Sequence, residues 1–121
     1  MLDKLTSALD FQSKALLLRA DRQRLIAGNI ANADTPGYAA RDFNFADALR
    51  DATSGTNARG SAGIKDGDNG YVVQSQPSLD GNSVDLDRER AAFADNAVRY
   101  EATLRFINAE SKTMLSAIQG Q

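Results

Sequence analysis

Neither cysteine nor histidine occurs among the 121 residues. Their absence excludes disulfides, thiolate and imidazole metal ligands, and the commonest nucleophile and general base. A chain without thiols also suits passage, unfolded, into an oxidising space. Neither sign of charge dominates: 14 basic and 16 acidic residues are interspersed and give a formal charge of −2, which argues against coating nucleic acid or an anionic membrane. No apolar run approaches the roughly 20 residues of a membrane span. Asp3, Lys4 and Asp10 interrupt any apolar core of a cleavable signal peptide. Taken without relatives, such a sequence reads as cytosolic. Proline appears only twice, at Pro36 and Pro77, so each marks a break in the chain.

The length allows at most one domain, and glycine-rich material in the middle leaves little for a core. Over residues 3–32 apolar side chains recur at helical spacing, with Leu2, Leu5, Leu9, Leu16, Ala20, Ala27 and Ile30 on one side and Phe11, Leu18 and Leu25 on another. A helix with one stripe needs one neighbour, whereas this one asks for several. Lys14, Arg19, Arg22 and Arg24 form a basic cluster offset by Asp10 and Asp21. Without interleaved aromatics, charge pairing along the helix explains that cluster better than nucleic-acid contact does.

Asn44 caps a short helix over residues 45–50, with Phe45, Ala48 and Leu49 on one side, and Phe43 and Phe45 are expected to anchor it on the end of the first helix. Residues 54–63 read as a flexible loop. Gly55 and Gly60-Ser61 have a phosphate-loop outline but lack its lysine, and the run from Asp66 to Gly70 lacks the ligands and closing glutamate of a calcium loop. The better reading is a hairpin, with Asn69-Gly70 turning between Ile64-Lys65 and Tyr71-Val72-Val73.

Asp85 is an N-cap for the last helix, and Gly120 closes it. Between them Leu86, Arg90, Phe93, Ala97, Tyr100, Leu104, Ile107, Ser111, Met114 and Ile118 alternate steps of four and three, a heptad seam in which Arg90 and Ser111 are the polar exceptions. Asp95 with Arg99 and Glu101 with Arg105 stand in the favourable i, i+4 order. The expected fold is mainly α: two long terminal helices forming a coiled-coil-like pair around a short glycine-rich middle with a small hairpin. Its segments are a helix over 1–34, a turn and short helix over 35–50, the middle over 51–84, and the heptad helix over 85–121.

The turn between these segments is the most informative stretch. Thr35-Pro36-Gly37-Tyr38 places proline second and glycine third, as a type II turn requires, and Pro36 ends the preceding helix by Asn32 or Asp34. Asn32 is suited to a left-handed cap. From Asn29 to Tyr38, with Ala31-Asn32 and Thr35-Pro36-Gly37-Tyr38 at this spacing, the chain resembles the N-terminal signature of the bacterial flagellar rod, hook and hook-filament junction proteins, the flagellar axial family. Ala40-Arg41-Asp42-Phe43, the opening Met1-Leu2-Asp3-Lys4-Leu5 and a distant second match from Gln76 to Asp87 resemble its proximal rod members in particular.

What the resemblance implies is mechanical work. Such a chain would be a non-enzymatic structural subunit of the basal-body rod, assembling by terminal-helix packing into the periplasm-spanning shaft that transmits torque. It would be exported by the flagellar type III route without a cleavable signal peptide. Its partners would be copies of itself, other rod proteins, and the junction of the membrane (MS) ring with the export gate; no cofactor, metal, nucleic acid or membrane insertion is implied. The residues expected at subunit contacts or in the motif are Leu9, Leu16, Ile30, Ala31, Asn32, Thr35, Pro36, Gly37, Tyr38, Leu86, Phe93, Ala97, Tyr100, Leu104, Ile107, Met114 and Ile118. A coiled-coil adaptor or export chaperone is the second reading, and would require a stable soluble dimer. An enzyme is a remote third, because the carboxylates, hydroxyls and lysines form no constellation.

Overall fold

The structure, a computed structural model, describes residues 2–53, 71–72 and 81–120. In chain order it comprises α1 (Leu2–Ala31), β1 (Arg41–Asp42), α2 (Phe45–Thr53), β2 (Tyr71–Val72) and α3 (Leu86–Gln119). Residues 54–63, the phosphate-loop and calcium-loop outlines, and Ile64-Lys65 with Asn69-Gly70 of the expected hairpin lie outside the described residues. The partner of Tyr71–Val72 in the structure is β1: Arg41 pairs with Val72 and Asp42 with Tyr71, antiparallel.

Local chemistry sets the helix ends. Asn44 accepts from the Asp47 amide through Oδ1 at 3.1 Å, and α2 runs on to Thr53, three residues beyond the expected end. Asp85 has extended backbone angles and accepts from the Arg88 amide at 3.2 Å, with Asp87 and Glu89 in the first turn beside the positive end of the helix dipole. Gly120 takes φ +73 at the far end. Asn32 departs from expectation: among the described residues no non-glycine residue has positive φ, and its side-chain amide donates to the Gly28 carbonyl at 2.8 Å, which also accepts the Asn32 backbone amide at 3.0 Å. The side chain thus doubles the last helical bond without the conformational cost of a left-handed backbone.

The two long helices lie antiparallel. Asn29 meets Glu89, Gln23 meets Phe93 and Asn96, and Asn96 meets the Arg19 carbonyl, so α3 numbers rise as α1 numbers fall. Buried apolar side chains come from α1 (Ala15, Leu18, Ile26) and from the segment after the turn (Ala40, Phe43). Phe43 is 8% exposed, and Phe45 lies under the Arg19 guanidinium, 4.1 Å from its ring centroid, so Phe45 ties the short helix to the middle of α1 and not to its end.

On α3 the buried residues are Glu89, Asn96 and Thr103, all polar and seven apart. The expected seam is therefore rotated by about one residue relative to α1. Tyr100, Ile107 and Met114 remain partly covered, but Arg90, Ala97, Ser111 and Ile118 of the other column are exposed, and Leu104 alone in it is partly buried. Each polar residue is bonded. Asn96 donates to the Arg19 carbonyl at 2.9 Å and to Gln23 Oε1 at 2.7 Å, while Thr103 donates to the Arg99 carbonyl of its own helix at 2.8 Å. Along the exposed faces Asp95 pairs with Arg99, Glu101 with Arg105 and Asp10 with Lys14, each at i, i+4, and Arg24 pairs with Asp21.

A polar column between helices fixes alignment more than it adds stability, because desolvating an amide offsets most of what its bonds return. Asn96 Oδ1 is buried with no donor among the described residues. Asn96→Leu alone strands Gln23 Oε1 and is therefore expected to cost about 1 to 3 kcal/mol, whereas Asn96→Leu with Gln23→Leu removes both partners and is expected to change stability by less than about 1 kcal/mol in urea unfolding. A larger loss in the double variant would show the amide pair to be a net source of stability.

Candidate functional site

The turn that follows α1 is built as expected. The Tyr38 amide donates to the Thr35 carbonyl at 3.2 Å, and Gly37 supplies the positive φ, +74. Its last residue folds back on the helix, where the Tyr38 hydroxyl donates to Asn29 Oδ1 at 3.2 Å. Asn29 is 0% exposed and uses every polar position it has. Its oxygen also accepts from the Arg41 amide at 2.9 Å, and its nitrogen donates to the Arg41 carbonyl at 2.7 Å and to Glu89 Oε2 at 3.2 Å. One side chain thereby joins the end of α1, the turn, β1 and the start of α3.

The second motif closes on the first. Asn82, 3% exposed, donates through its amide nitrogen to the carbonyls of Asn32 (2.8 Å), Ala33 (3.0 Å) and Thr35 (2.7 Å), and its oxygen accepts from the Val84 amide at 2.8 Å. The Asn32 and Thr35 carbonyls each already accept a backbone amide, from Thr35 and Tyr38, so Asn82 fills their second acceptor positions and adds the Ala33 carbonyl between them. Ser83 adds two links, donating its amide to the Tyr38 carbonyl at 3.0 Å and accepting from the Ala40 amide at its hydroxyl, 2.8 Å. Gly81, at φ +79, lies beside the turn, where a Cβ would meet the Gly37 Cα in ordinary contact at 3.6 Å, so its requirement for glycine is conformational. The two stretches singled out from the sequence, more than forty residues apart, form one joint.

Charge reinforces the joint. Arg22 grips Asp42 with two bonds, Nε to Oδ1 at 3.1 Å and Nη2 to Oδ2 at 3.2 Å, both side chains about a quarter exposed. Glu89, 6% exposed, has its carboxyl raised above the ordinary glutamate range, by burial first and by the Asp42 carboxylate as well. The bond from Asn29 and the Arg88 and Arg22 guanidiniums pull the other way.

The residues expected at contacts or in the motif divide by exposure. Thr35, Pro36 and Gly37 form the exposed outside of the turn, with Ala31 exposed just before it, while Asn32 and Tyr38 face inward. Leu9, Leu16, Ile30 and Leu86 are partly buried, as are Tyr100, Leu104, Ile107 and Met114; Phe93, Ala97 and Ile118 are exposed. Glu89, Asn96, Asn82 and Ser83 were not among them, although the seven-residue spacing of Glu89, Asn96 and Thr103 is present in the sequence.

Two changes test the joint. Asn82→Ala removes the amide that holds three carbonyls and is expected to cost about 2 to 4 kcal/mol in urea unfolding, at roughly 1 kcal/mol for each lost bond. Glu89 responds to pH. A folded pKa above the unfolded one means that the folded state holds the proton more tightly, so stability falls as pH rises from the unfolded value, about 4.3, through the folded value. Glu89→Gln keeps an acceptor for Asn29 without the titration. It is expected to flatten that slope and raise the thermal midpoint at pH 7; an unchanged slope would acquit Glu89.

The α1 side of the joint, from Asn29 to Tyr38, falls within a segment that matches a known family. A family model described as flagella basal body rod protein matches residues 9–38, most of α1 and the turn. The flagellar basal body rod protein FlgB of Salmonella typhimurium is 45% identical, with 99% of each chain covered. That of Escherichia coli is 46% identical over 98% of each, and that of Buchnera aphidicola 35% identical over 99% of this chain and 100% of its own. Members of this family are structural and not enzymatic, which agrees with the residue content. With identities of this size over nearly the full length, the chain belongs to the FlgB family of flagellar basal body rod proteins.

Proposed function

We propose that this rod component is a subunit of the proximal rod, packing its two terminal helices against copies of itself and against other rod proteins to build a periplasm-spanning shaft that transmits torque. It adjoins the junction of the MS ring with the export gate and reaches it through the flagellar type III exporter. One observation carries the reading: paired helices with a polar column between them leave Leu2, Phe11, Leu17, Phe93, Val98, Phe106, Leu115 and Ile118 at 39% exposure or more. Apolar surface of that extent on two long helices favours burial against further helices. Phe93, Ala97 and Ile118, with the partly buried Leu9, Leu16, Ile30, Tyr100, Leu104, Ile107 and Met114 beside them, are the contact residues of this reading. Ala31 and the turn from Asn32 to Tyr38 serve a second purpose, holding the end of α1 at a fixed angle so that load passes through packed helices.

That purpose can be tested at Gly37. A Cβ there meets nothing within 4 Å, so the cost of a larger residue is conformational: φ +74 is strained for any β-branched side chain, by about 1 to 3 kcal/mol. Gly37→Val is expected to leave export of the chain near normal while abolishing swimming and reducing the amount recovered in purified basal bodies. Normal motility would remove the turn from the account.

A further inference from the structure

Two acids and one committed cation meet at the joint. Arg22, from α1, holds Asp42 of β1 with two bonds, at 3.1 and 3.2 Å. Glu89, from the first turns of α3, forms no ion pair among the described residues, and its side chain accepts from the neutral Asn29 amide at 3.2 Å. Of the groups beside them, the Tyr38 hydroxyl is bonded to Asn29 Oδ1, and Arg88 lies exposed on the same helix as Glu89. With both carboxyls ionised, the cluster holds one buried negative charge that Arg22 does not match, and one proton on Glu89 removes it. The Asn29 bond and the positive end of α3 favour the ionised form, but burial and the Asp42 charge outweigh them.

What Glu89 holds is short and separable. Asn82 and Ser83 clasp the turn, α3 begins at Leu86, and two helical turns beyond Glu89 the Asn96 amide bonds the Arg19 carbonyl and Gln23 Oε1. Among the described residues, the one hydrogen bond to α1 between those two points runs from Gln23 to the Phe93 carbonyl, at 3.4 Å. We propose that Glu89 is a proton-operated latch on the joint. A protonated carboxyl seats the start of α3 on Asn29, and ionisation shifts residues 81–92 toward a form that opens from the turn as one unit, with Asn96 as pivot. The direction follows from solvation. An open joint gives the carboxylate water and parts it from Asp42, so the open form releases the proton more readily than the closed one. Both long helices persist in it, because the buried Ala15, Leu18 and Asn96 lie outside the unit that moves.

Amide exchange of the full-length chain, followed residue by residue by NMR and divided by each amide's intrinsic rate, tests the latch. The reporters are the two amides whose bonds span the joint, Ala40 to Ser83 Oγ and Ser83 to the Tyr38 carbonyl. Both are expected to exchange at least about tenfold faster than the amides of Leu18 and Thr103, as a locally opening unit does. Their protection is expected to fall by up to about tenfold per pH unit as pH rises from about 4.3, the solvated glutamate value, and to level off above the folded one. Glu89→Gln, which keeps an acceptor for Asn29, is expected to remove that fall, and Asp42→Asn to reduce it by freeing Arg22 for Glu89. Equal protection at Ala40, Ser83, Leu18 and Thr103 would overturn the latch, because the joint would then open only with the whole chain. So would a fall that persists in Glu89→Gln. If Glu89→Gln does not fold, Asp42→Asn decides: a reduced fall supports the latch and an undiminished one overturns it.

Discussion

The Asn82 side-chain amide, set against the turn after α1, is the contact on which the rest of the joint depends. The Thr35 and Tyr38 backbone amides already serve the Asn32 and Thr35 carbonyls, which leaves the second acceptor position of each and the Ala33 carbonyl between them to be matched. Water could serve them, but the chain brings a side chain from far downstream: the Asn82 amide takes three in one place. Once Asn82 is there, Gly81 must lie against Gly37, Ser83 must run beside Tyr38 and Ala40, and α3 must begin only a few residues later. Asn29 does the equivalent from inside α1, and a fully bonded buried amide tolerates little displacement of any partner. The angle at which the chain leaves α1 is thus set by side-chain amides and two glycine backbones, with apolar packing in support.

Much of the architecture was legible because it is decided locally. Asn44, Asp85, Gly37 and Gly120 act on their own or adjacent turns, and the chemistry that makes them caps and turn residues operates regardless of the surrounding fold. The pairing of the terminal helices was legible from periodicity. Which column of α3 faces α1 was not. Periodicity ranks columns by apolarity, and Phe93, Ala97, Leu104 and Ile118 outrank Glu89, Asn96 and Thr103 on that scale, yet the polar column is the one inside. Helix alignment is settled by hydrogen-bond partners such as Gln23 and the Arg19 carbonyl, which appear only once both helices are in place. The same holds for Tyr71–Val72, whose pairing with Arg41–Asp42 depends on where the joint carries β1. Asn82 sat in a recognised motif, but no local rule assigns an asparagine to a helix end fifty residues earlier.

On α3 the fully buried side chains are polar while several large apolar ones face outward, although α1 still buries Ala15, Leu18 and Ile26, and a structural rod protein gives that distribution a use. A hairpin that spent all its apolar side chains on itself would be a stable, self-sufficient object with little left to offer a neighbour. Here directional bonds of modest net strength share the internal contact with a small apolar core, and much of the large non-directional term remains on surfaces that face outward. Basal-body membership and this distribution of side chains are mutually consistent.

The closure between Gly81-Asn82-Ser83 and the turn also frees what lies between. With both ends of the intervening stretch tied to the same few atoms, its length is decoupled from the geometry of the helices. Loop-closure entropy rises only logarithmically, by about 0.6 kcal/mol per doubling of a flexible segment. Lengthening the chain between α2 and β2, with the β1–β2 pairing kept, therefore leaves the helix pair almost untouched, and the joint makes that span the place where such a protein can acquire a new surface, or a whole inserted module, without recasting its helices.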